Sequence, residues 1–551
     1  MLIRRMEHSS ATTGGTPVPT VALLALLGML PFCSLLVSHV VYQQDGSTGF
    51  IQSDMSYYVA NGREIFERGN GLGYCNPYDP AADAPVIYYH WLPWLFGLGV
   101  KFLHIDPGVW FVLLGLAGGY SCSWGTFRLV EAVLPTRYFL PSLYLSAMWG
   151  GGLFAVAAVA TEFSAGGGRP DFVRFDPFGG WWFLNWGRNL VYTTESIYHA
   201  LVAWAWVGIV RRQPWHAAGP IIALSATHPF SGLQHLSIML AWFTLAVFVP
   251  PSWPVAAPQS LVKYRRSIVA GWLMLMLTAA LFGAYYFLYL PSFPQHAAIA
   301  QGWALPWVLP WRAFVLAYTP VAVLAAIRCW QDMNRWRTEM SFFVIAAGIS
   351  ILLAKHDLFA PPHQPLHFTR GYIWMPLALL ALPLVQSNAA MLIARTRPAV
   401  ATILLSATAC LAVLDNVTWL ATRCLLGDHG VRLQAVDREV CEWLERAGVE
   451  DVLLYIVPGR LCDNQLFATY TSVRPWIGHG FLTPRLDQRI AALGEWIDTS
   501  HLPELLANVG ILVIAADMIY PIDEGEWKTV FENKDRRVLQ RRVRPSAERL
   551  P

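Results

Sequence analysis

Residues 52–94 read QSDMSYYVANGREIFERGNGLGYCNPYDPAADAPVIYYHWLPW. The stretch directly follows the first long apolar segment and opens on an acid, Asp54. Met55, Tyr58, Val59, Ile65 and Phe66 then recur at helical spacing, with Gly62 in the gap. Asn61, Arg63, Glu64, Glu67 and Arg68 occupy the opposite face. A Gly/Asn/Pro-rich turn at 69–80 leads into a Tyr/His/Trp-rich apolar piece. The pattern predicts a helix lying on a membrane surface, with a carboxylate at its N-terminal end, as one wall of a candidate site.

Composition widens this reading to the whole chain. Of 551 residues, 55% are hydrophobic and only 14% charged, against about a quarter charged in a soluble domain. Apolar segments of roughly 17–25 residues, each long enough for a bilayer, recur from Val21 to about Trp419. The class is a polytopic α-helical membrane protein. A net charge of +3 without basic runs argues against a nucleic-acid partner. Most of the 25 Trp sit near segment ends, as interfacial anchors do. The eight Cys show no metal-ligand spacing. No metal and no cofactor are expected.

Basic residues set the orientation. Arg4 and Arg5 precede the first span, which places a cytoplasmic tail at 1–19 and Asp54 outside. Spans follow at about 20–42, 107–127, 139–161 and 196–210. Two more lie within 220–249, turning near His228, then come 268–290 and one ending near 327. The last three fall at 342–354, 373–385 and 399–419. The clusters Arg211/Arg212, Lys263/Arg265/Arg266, Arg328/Arg335/Arg337 and Arg395/Arg397 then share one side, which supports about eleven transmembrane helices over 20–422. Outer loops fall near 43–106, with a short interfacial segment at 90–103, and near 162–194 and 355–372.

From about 423 to 551 the pattern changes to a soluble, extracytoplasmic α/β domain. Helices are expected at 436–447, 486–497 and 502–508. Strands are expected at 452–457, closed by Pro458-Gly459, and at 511–515, 527–531 and 537–543.

Charges at membrane depth are costly and mark function, so polar clusters in the outer loops are the candidates. Asp54 suits a helix N-cap and equally a general base at the outer boundary. Asp176, in Phe-Asp-Pro-Phe before two glycines, suits an Asp-Pro turn, and Glu162 and Asp171 are acidic neighbours. Glu195 reads as a cap and His228 as a packing or turn residue. Lys355, His356, Arg370 and Tyr372 form a cationic, hydroxyl-bearing cluster in KHDLFAPPHQPLHFTRGY. Snorkelling explains such residues at an interface. Positive-inside bias does not call for them outside, whereas a phosphate ligand does. Arg63, His90 and Arg188 are further candidates for the same ligand.

This order of features resembles the GT-C membrane glycosyltransferases, such as protein O-mannosyltransferases and lipid A aminoarabinose transferases. The matching residues are Asp54 in SDMSYYVANGREIFERG after the first span, Asp176 in a D-P context, and the late basic loop. The external tail, with Arg438 to Trp443, Tyr470-Thr471 and GHGFLT at 478–483, is also similar. The chain departs where a Pro-Pro pair is reduced to Pro85 and Pro93, and where Arg370-Gly371-Tyr372 replaces a Lys/Arg-Tyr pair. The resemblance implies a polyprenyl-phosphate-linked sugar as donor, a glycan, lipid or protein acceptor, and a plasma (inner) membrane location. It implies Asp54, with Asp176, as catalytic acids, inversion in one displacement, and donor-phosphate contacts from the cations above. A multi-pass transporter and a non-catalytic assembly or sensor protein with an external binding domain are the rival classes. The first predicts broken helices or internal repeats in the membrane, and the second a dispensable opening loop.

Overall fold

The computed structural model describes residues 15–41, 46–81, 83–249, 258–302, 305–332, 338–425, 430–457, 464–499, 503–520 and 522–542. Arg4, Arg5, Arg335, Arg337, Pro458 and Gly459 lie outside the described residues. The chain forms two compact units. The first comprises Met1–Leu35, Leu114–Tyr285 and Ala304–Asp428, and the second Leu36–Leu113, Tyr286–Trp303 and His429–Pro551.

Long helices dominate the first unit and the segments that enter it. Helices stand at Val18–Val41, Pro107–Val133, Thr193–Val210, Pro214–Ser225, Pro229–Phe248 and Pro258–Gly283. Others follow at Trp311–Gln331, Thr338–Ala354, Trp374–Arg395 and Pro398–Leu425. Several open on proline, whose missing N–H and fixed φ suit the first helical position. His228 caps Pro229–Phe248, its Nδ1 accepting the Ser231 N–H at 3.1 Å. Among the described residues six helices are long and apolar enough to cross a membrane, as a multi-pass membrane protein requires. The pair Leu140–Trp149 and Phe154–Ser164, bent by 61°, makes a seventh if counted as one span. The other expected spans coincide with helices that fall short of that length or apolarity.

The bend has a local cause in Gly150-Gly151-Gly152. Its freed backbone groups are satisfied from helix Pro398–Leu425. Asp415 accepts the Phe154 and Ala155 N–H groups at 3.1 and 2.7 Å. Asn416 donates to the carbonyls of Trp149 and Gly150 at 2.5 and 3.1 Å. Irregular backbone is tolerated at membrane depth when protein groups satisfy it in this way.

The second unit is built on a five-stranded sheet of order β2-β1-β3-β5-β4. The strands are β1 Val452–Ile456, β2 Arg474–Pro475, β3 Ile511–Ala515, β4 Trp527–Glu532 and β5 Arg536–Arg541. β1 pairs parallel with β2 and β3, whereas β5 pairs antiparallel with β3 and β4. β3 is buried along its whole length, which explains its unbroken apolar run. Helices Ala435–Arg446 and Leu486–Thr499 stand near their expected positions. The helix expected at 502–508 is only a short turn at Glu504–Leu506, and the sequence reading missed helix Asn464–Tyr470.

Of residues 423–551, expected as a domain by themselves, the part from His429 shares this unit with the opening stretch. Helices Asp54–Glu67 and Trp91–Leu103 cross at Gly62 and Gly97, where a Cβ on Gly62 would stand 2.5 Å from the Gly97 nitrogen. Backbone bonds from Val431 to Phe50 and from Leu433 to Gly46 tie the two segments further. The polar face of helix Asp54–Glu67, expected in water, is therefore covered by protein. Asn61, Arg63 and Glu64 are as buried as Met55, Val59 and Ile65. The polar face meets partners from the far end of the chain.

Candidate functional site

In the second unit, Asp54 is the first residue of helix Asp54–Glu67. Ser53 holds the cap position, and no side chain makes a cap bond there. The Asp54 side chain is 64% exposed. Its Oδ1 lies 2.5 Å from His479 Nε2. His479 Nδ1 accepts the Phe481 N–H at 3.1 Å. Tyr78 stacks on the His479 ring at 6.5 Å, and Tyr57 on Tyr78 at 5.9 Å. A carboxylate open to solvent and steered from one side is equipped to take a proton from an approaching hydroxyl.

Two other candidates in this unit are committed elsewhere. Arg63 pairs with Glu67 and Glu445, each at 2.8 Å, and is buried. His90 is held by two tyrosine hydroxyls, Tyr74 at Nδ1 (2.6 Å) and Tyr286 at Nε2 (2.9 Å). Burial, with His296 adding to it, pushes the His90 imidazole down to about 4. Both nitrogens of the His90 imidazole are thus engaged by protein groups, as is the Arg63 guanidinium.

In the first unit, Asp176 and Arg188 form an ion pair at 3.0 Å, each side chain 2% exposed. Arg188 also donates to Asn416 Oδ1 at 2.5 Å and to the Asp415 carbonyl at 2.7 Å, with its guanidinium over Trp419. Burial raises the Asp176 carboxyl above its usual range, and the Arg188 charge works against that. Arg423 reaches the Gly179 carbonyl and lies over Trp181. Helix Pro398–Leu425 thereby pins the 165–192 loop. Asp176 and Arg188, expected as a reacting acid and a phosphate ligand, thus meet each other in a buried ion pair. At the loop tip Phe178 sits at φ 52° and is 54% exposed. A bulky residue in the left-handed region is strained, and Phe178 is held there against Trp307 and Trp182.

The late basic loop divides. Lys355 donates to the Leu309 carbonyl, pairs with Asp357 at 3.0 Å and lies over Trp311. His356 bridges the Leu353 carbonyl and the His363 N–H. Both therefore hold the loop. Arg370 and Tyr372 come together with two residues of helix Thr193–Val210. Arg370 is paired with Glu195, and its carbonyl lies 2.8 Å from His199 Nε2. The Tyr372 ring stacks on His199 at 4.7 Å, and burial raises its hydroxyl above the usual phenol range. The Arg370 guanidinium spans the Trp182 ring at 4.8 Å and donates to His367 Nδ1 at 3.1 Å. His367 is stacked between Phe230 and Trp307 and is pushed well below the usual imidazole range by burial. Arg370 is thus a cation set in an aromatic wall, suited to an anion with apolar or sugar-like surroundings.

Sequence reasoning missed His479, His367, Trp182 and Trp307, and took Glu195 for a cap alone. His479 did carry a signal, lying between two glycines in the tail. Among the described residues no group of three or more His, Cys, Asp or Glu is placed to hold a metal ion.

No family model matches the sequence. No curated protein matches it either. Among solved structures the chain is similar to the arabinofuranosyltransferase AftD from Mycobacteria. A mutant form of AftD, solved by cryo-electron microscopy, gives a TM-score of 0.53 at 14% identity, covering 96% of this chain and 42% of that one. A second AftD structure gives 0.51 at 13%, covering 96% and 40%. The ArnT structure from Cupriavidus metallidurans, bound to undecaprenyl phosphate, gives 0.45 at 13%, covering 95% and 98%. The chain thus spans about two fifths of the AftD chains it matches. Its fold is the GT-C fold.

Proposed function

We propose that the protein is a membrane glycosyltransferase that moves a sugar from a polyprenyl-phosphate donor to an acceptor hydroxyl. One observation carries the reading: Asp54 is open to solvent, with one oxygen held by His479, whereas Asp176 and Glu195 are buried in ion pairs. Asp54 takes the acceptor proton as the oxygen attacks the anomeric carbon. The bond from that carbon to the phosphate oxygen breaks through an oxocarbenium-like transition state. The electron pair leaves with the phosphate, and the anomeric centre inverts. The phosphate leaves without an acid catalyst if a cation holds its charge. No divalent metal enters this scheme.

The positive-inside pattern supports about eleven crossings in the plasma membrane, with the amino terminus cytoplasmic and residues 423–551 on the extracytoplasmic side, where transfer takes place. The rival reading as a transporter draws on the broken helix at 150–152. Its freed backbone groups are bonded to Asp415, Asn416, Ala412 and Leu316, which leaves them taken by the protein itself.

The test is a transfer assay in proteoliposomes. Synthetic C20 polyprenyl-phosphoryl arabinofuranose and mannose serve as donors and octyl glycosides as acceptors. Release of polyprenyl phosphate with formation of an inverted glycoside is expected, and Asp54→Asn should lower it. Transfer at the same rate by the Asp54→Asn protein would remove the base from the scheme.

A further inference from the structure

Asp54 needs something to fix its carboxylate. It lacks a cap bond, sits at the open end of its helix and is largely exposed. A free carboxylate there would sample several rotamers. The residue that fixes it comes from 425 positions later, His479 at 2.5 Å.

The imidazole is itself fixed, and in one tautomer. Its Nδ1 accepts the Phe481 backbone N–H, so the proton of the neutral ring sits on Nε2, facing Asp54 Oδ1. The supporting turn is rigid. Thr483 Oγ1 donates to the His479 carbonyl at 2.8 Å and accepts the Gly478 N–H at 3.0 Å. Asn76 donates to the Leu482 carbonyl at 2.7 Å. Tyr78 lies on the ring with an interplanar angle of 19°, and a Cβ at position 478 would strike the Tyr78 ring. Backbone, turn and aromatic face all aim one N–H at one oxygen.

We propose that His479 is a positioning residue for Asp54: its Nε2–H holds Oδ1 and leaves Oδ2 aimed at the acceptor hydroxyl. The inference rests on the reading of Asp54 as the base, and it makes the C-terminal region part of the reacting machinery. No proton is transferred to His479. It acts through the geometry of the acid, as orienting partners of a base do elsewhere.

The test is a double-mutant cycle with the arabinofuranose and mannose donors named above, together with nitrogen-15 NMR of histidine-labelled protein in bilayers. His479→Ala should lower kcat roughly 10- to 100-fold, the worth of one hydrogen bond to a charged group, with the donor KM unchanged. His479→Gln, which keeps an N–H near the Nε2 position, should recover to within about threefold of the parent. Adding His479→Ala to Asp54→Asn should cost nothing further. The His479 resonances should show a protonated Nε2 and an accepting Nδ1, with Nε2 moving in Asp54→Ala. A parental kcat in His479→Ala, an equal loss on the Asp54→Asn background, or a proton found on Nδ1 would each overturn the positioning role. A parental rate in Asp54→Asn, with the resonances as expected, would instead strike the reading of Asp54 as the base.

Discussion

The carboxylate of Glu195, 1% exposed, is paired with the guanidinium of Arg370, 17% exposed. The two are one unit energetically. Removing either leaves the other charge buried without its counter-ion. Arg370→Ala should therefore cost about 3–5 kcal/mol of stability, beyond any loss of donor affinity. Glu195→Gln in the Arg370→Ala background should restore much of that stability by removing the stranded charge. If Arg370 contacts the donor phosphate, polyprenyl-phosphate binding stays weak in the double variant. Thermal unfolding and a lipid-phosphate titration read the two effects separately, and parental binding by the double variant would leave Arg370 a purely structural cation.

Asp54 heads its helix without capping it. Truncation to Ala should then cost about 1–2 kcal/mol, from the charge at a helix N-terminus and the exposed hydrogen bond to His479. Transfer by Asp54→Asn should fall roughly 10²–10⁴-fold, the range for a positioned base. Unfolding curves and initial rates on the same preparations check both. A large loss of stability in Asp54→Ala with little loss of rate in Asp54→Asn would contradict the geometry.

Glycines separate tight from open packing in the second unit. At Gly62 a new Cβ meets backbone of Gly97, which cannot swing aside, so Gly62→Ala should destabilise by about 1–3 kcal/mol. Gly494, inside helix Leu486–Thr499, has nothing within 4 Å of its would-be Cβ. There Gly→Ala should stabilise by about 0.5–1 kcal/mol through helix propensity. Melting temperatures moving in opposite directions are the expected result.

His90 gives a pH dependence of stability. Burial sets its folded value at about 4, below the 6.5 of an ordinary histidine. The unfolded chain therefore binds the proton first. Stability should be fullest above about pH 6.5, fall as pH drops toward 4, and fall no further from this group below that. The contribution is at most about 3 kcal/mol. Denaturation midpoints between pH 7 and 4 should show a shallower slope for His90→Gln, and identical slopes would exclude His90 as the source.

The helical framework was legible because a bilayer imposes length and apolarity on each segment, and proline marked where several helices begin. The opening stretch was legible as an amphipathic helix headed by an acid. Its charged face was not, because Arg63, Glu64 and Arg68 look solvated until Glu445, Arg474 and the Ser472 carbonyl are brought against them. The same limit governed the candidate cations. Residue type and loop position identified Arg188, Lys355 and His356, but not their partners, which for Arg188 include Asn416 and the Asp415 carbonyl and for His356 the nearby Leu353 carbonyl and His363 N–H. Arg370 was recognised as a cation, and only the fold shows it beside Glu195, Trp182 and His367. His479 stayed unassigned because a lone histidine between glycines says nothing of the acid 425 residues earlier that it faces.

The burial of helix Asp54–Glu67 against the C-terminal region also fixes an order of events during synthesis. Arg63 leaves the ribosome 382 residues before its partner Glu445. At about 5–20 residues per second, that interval is on the order of tens of seconds. Throughout it, Arg63 and Glu64 have only Glu67 and Arg68 of their own helix as counter-ions. The acid-bearing segment is thus made first and secured last. A chain cut short before the tail leaves Arg63 without Glu445 and Glu64 without Arg474.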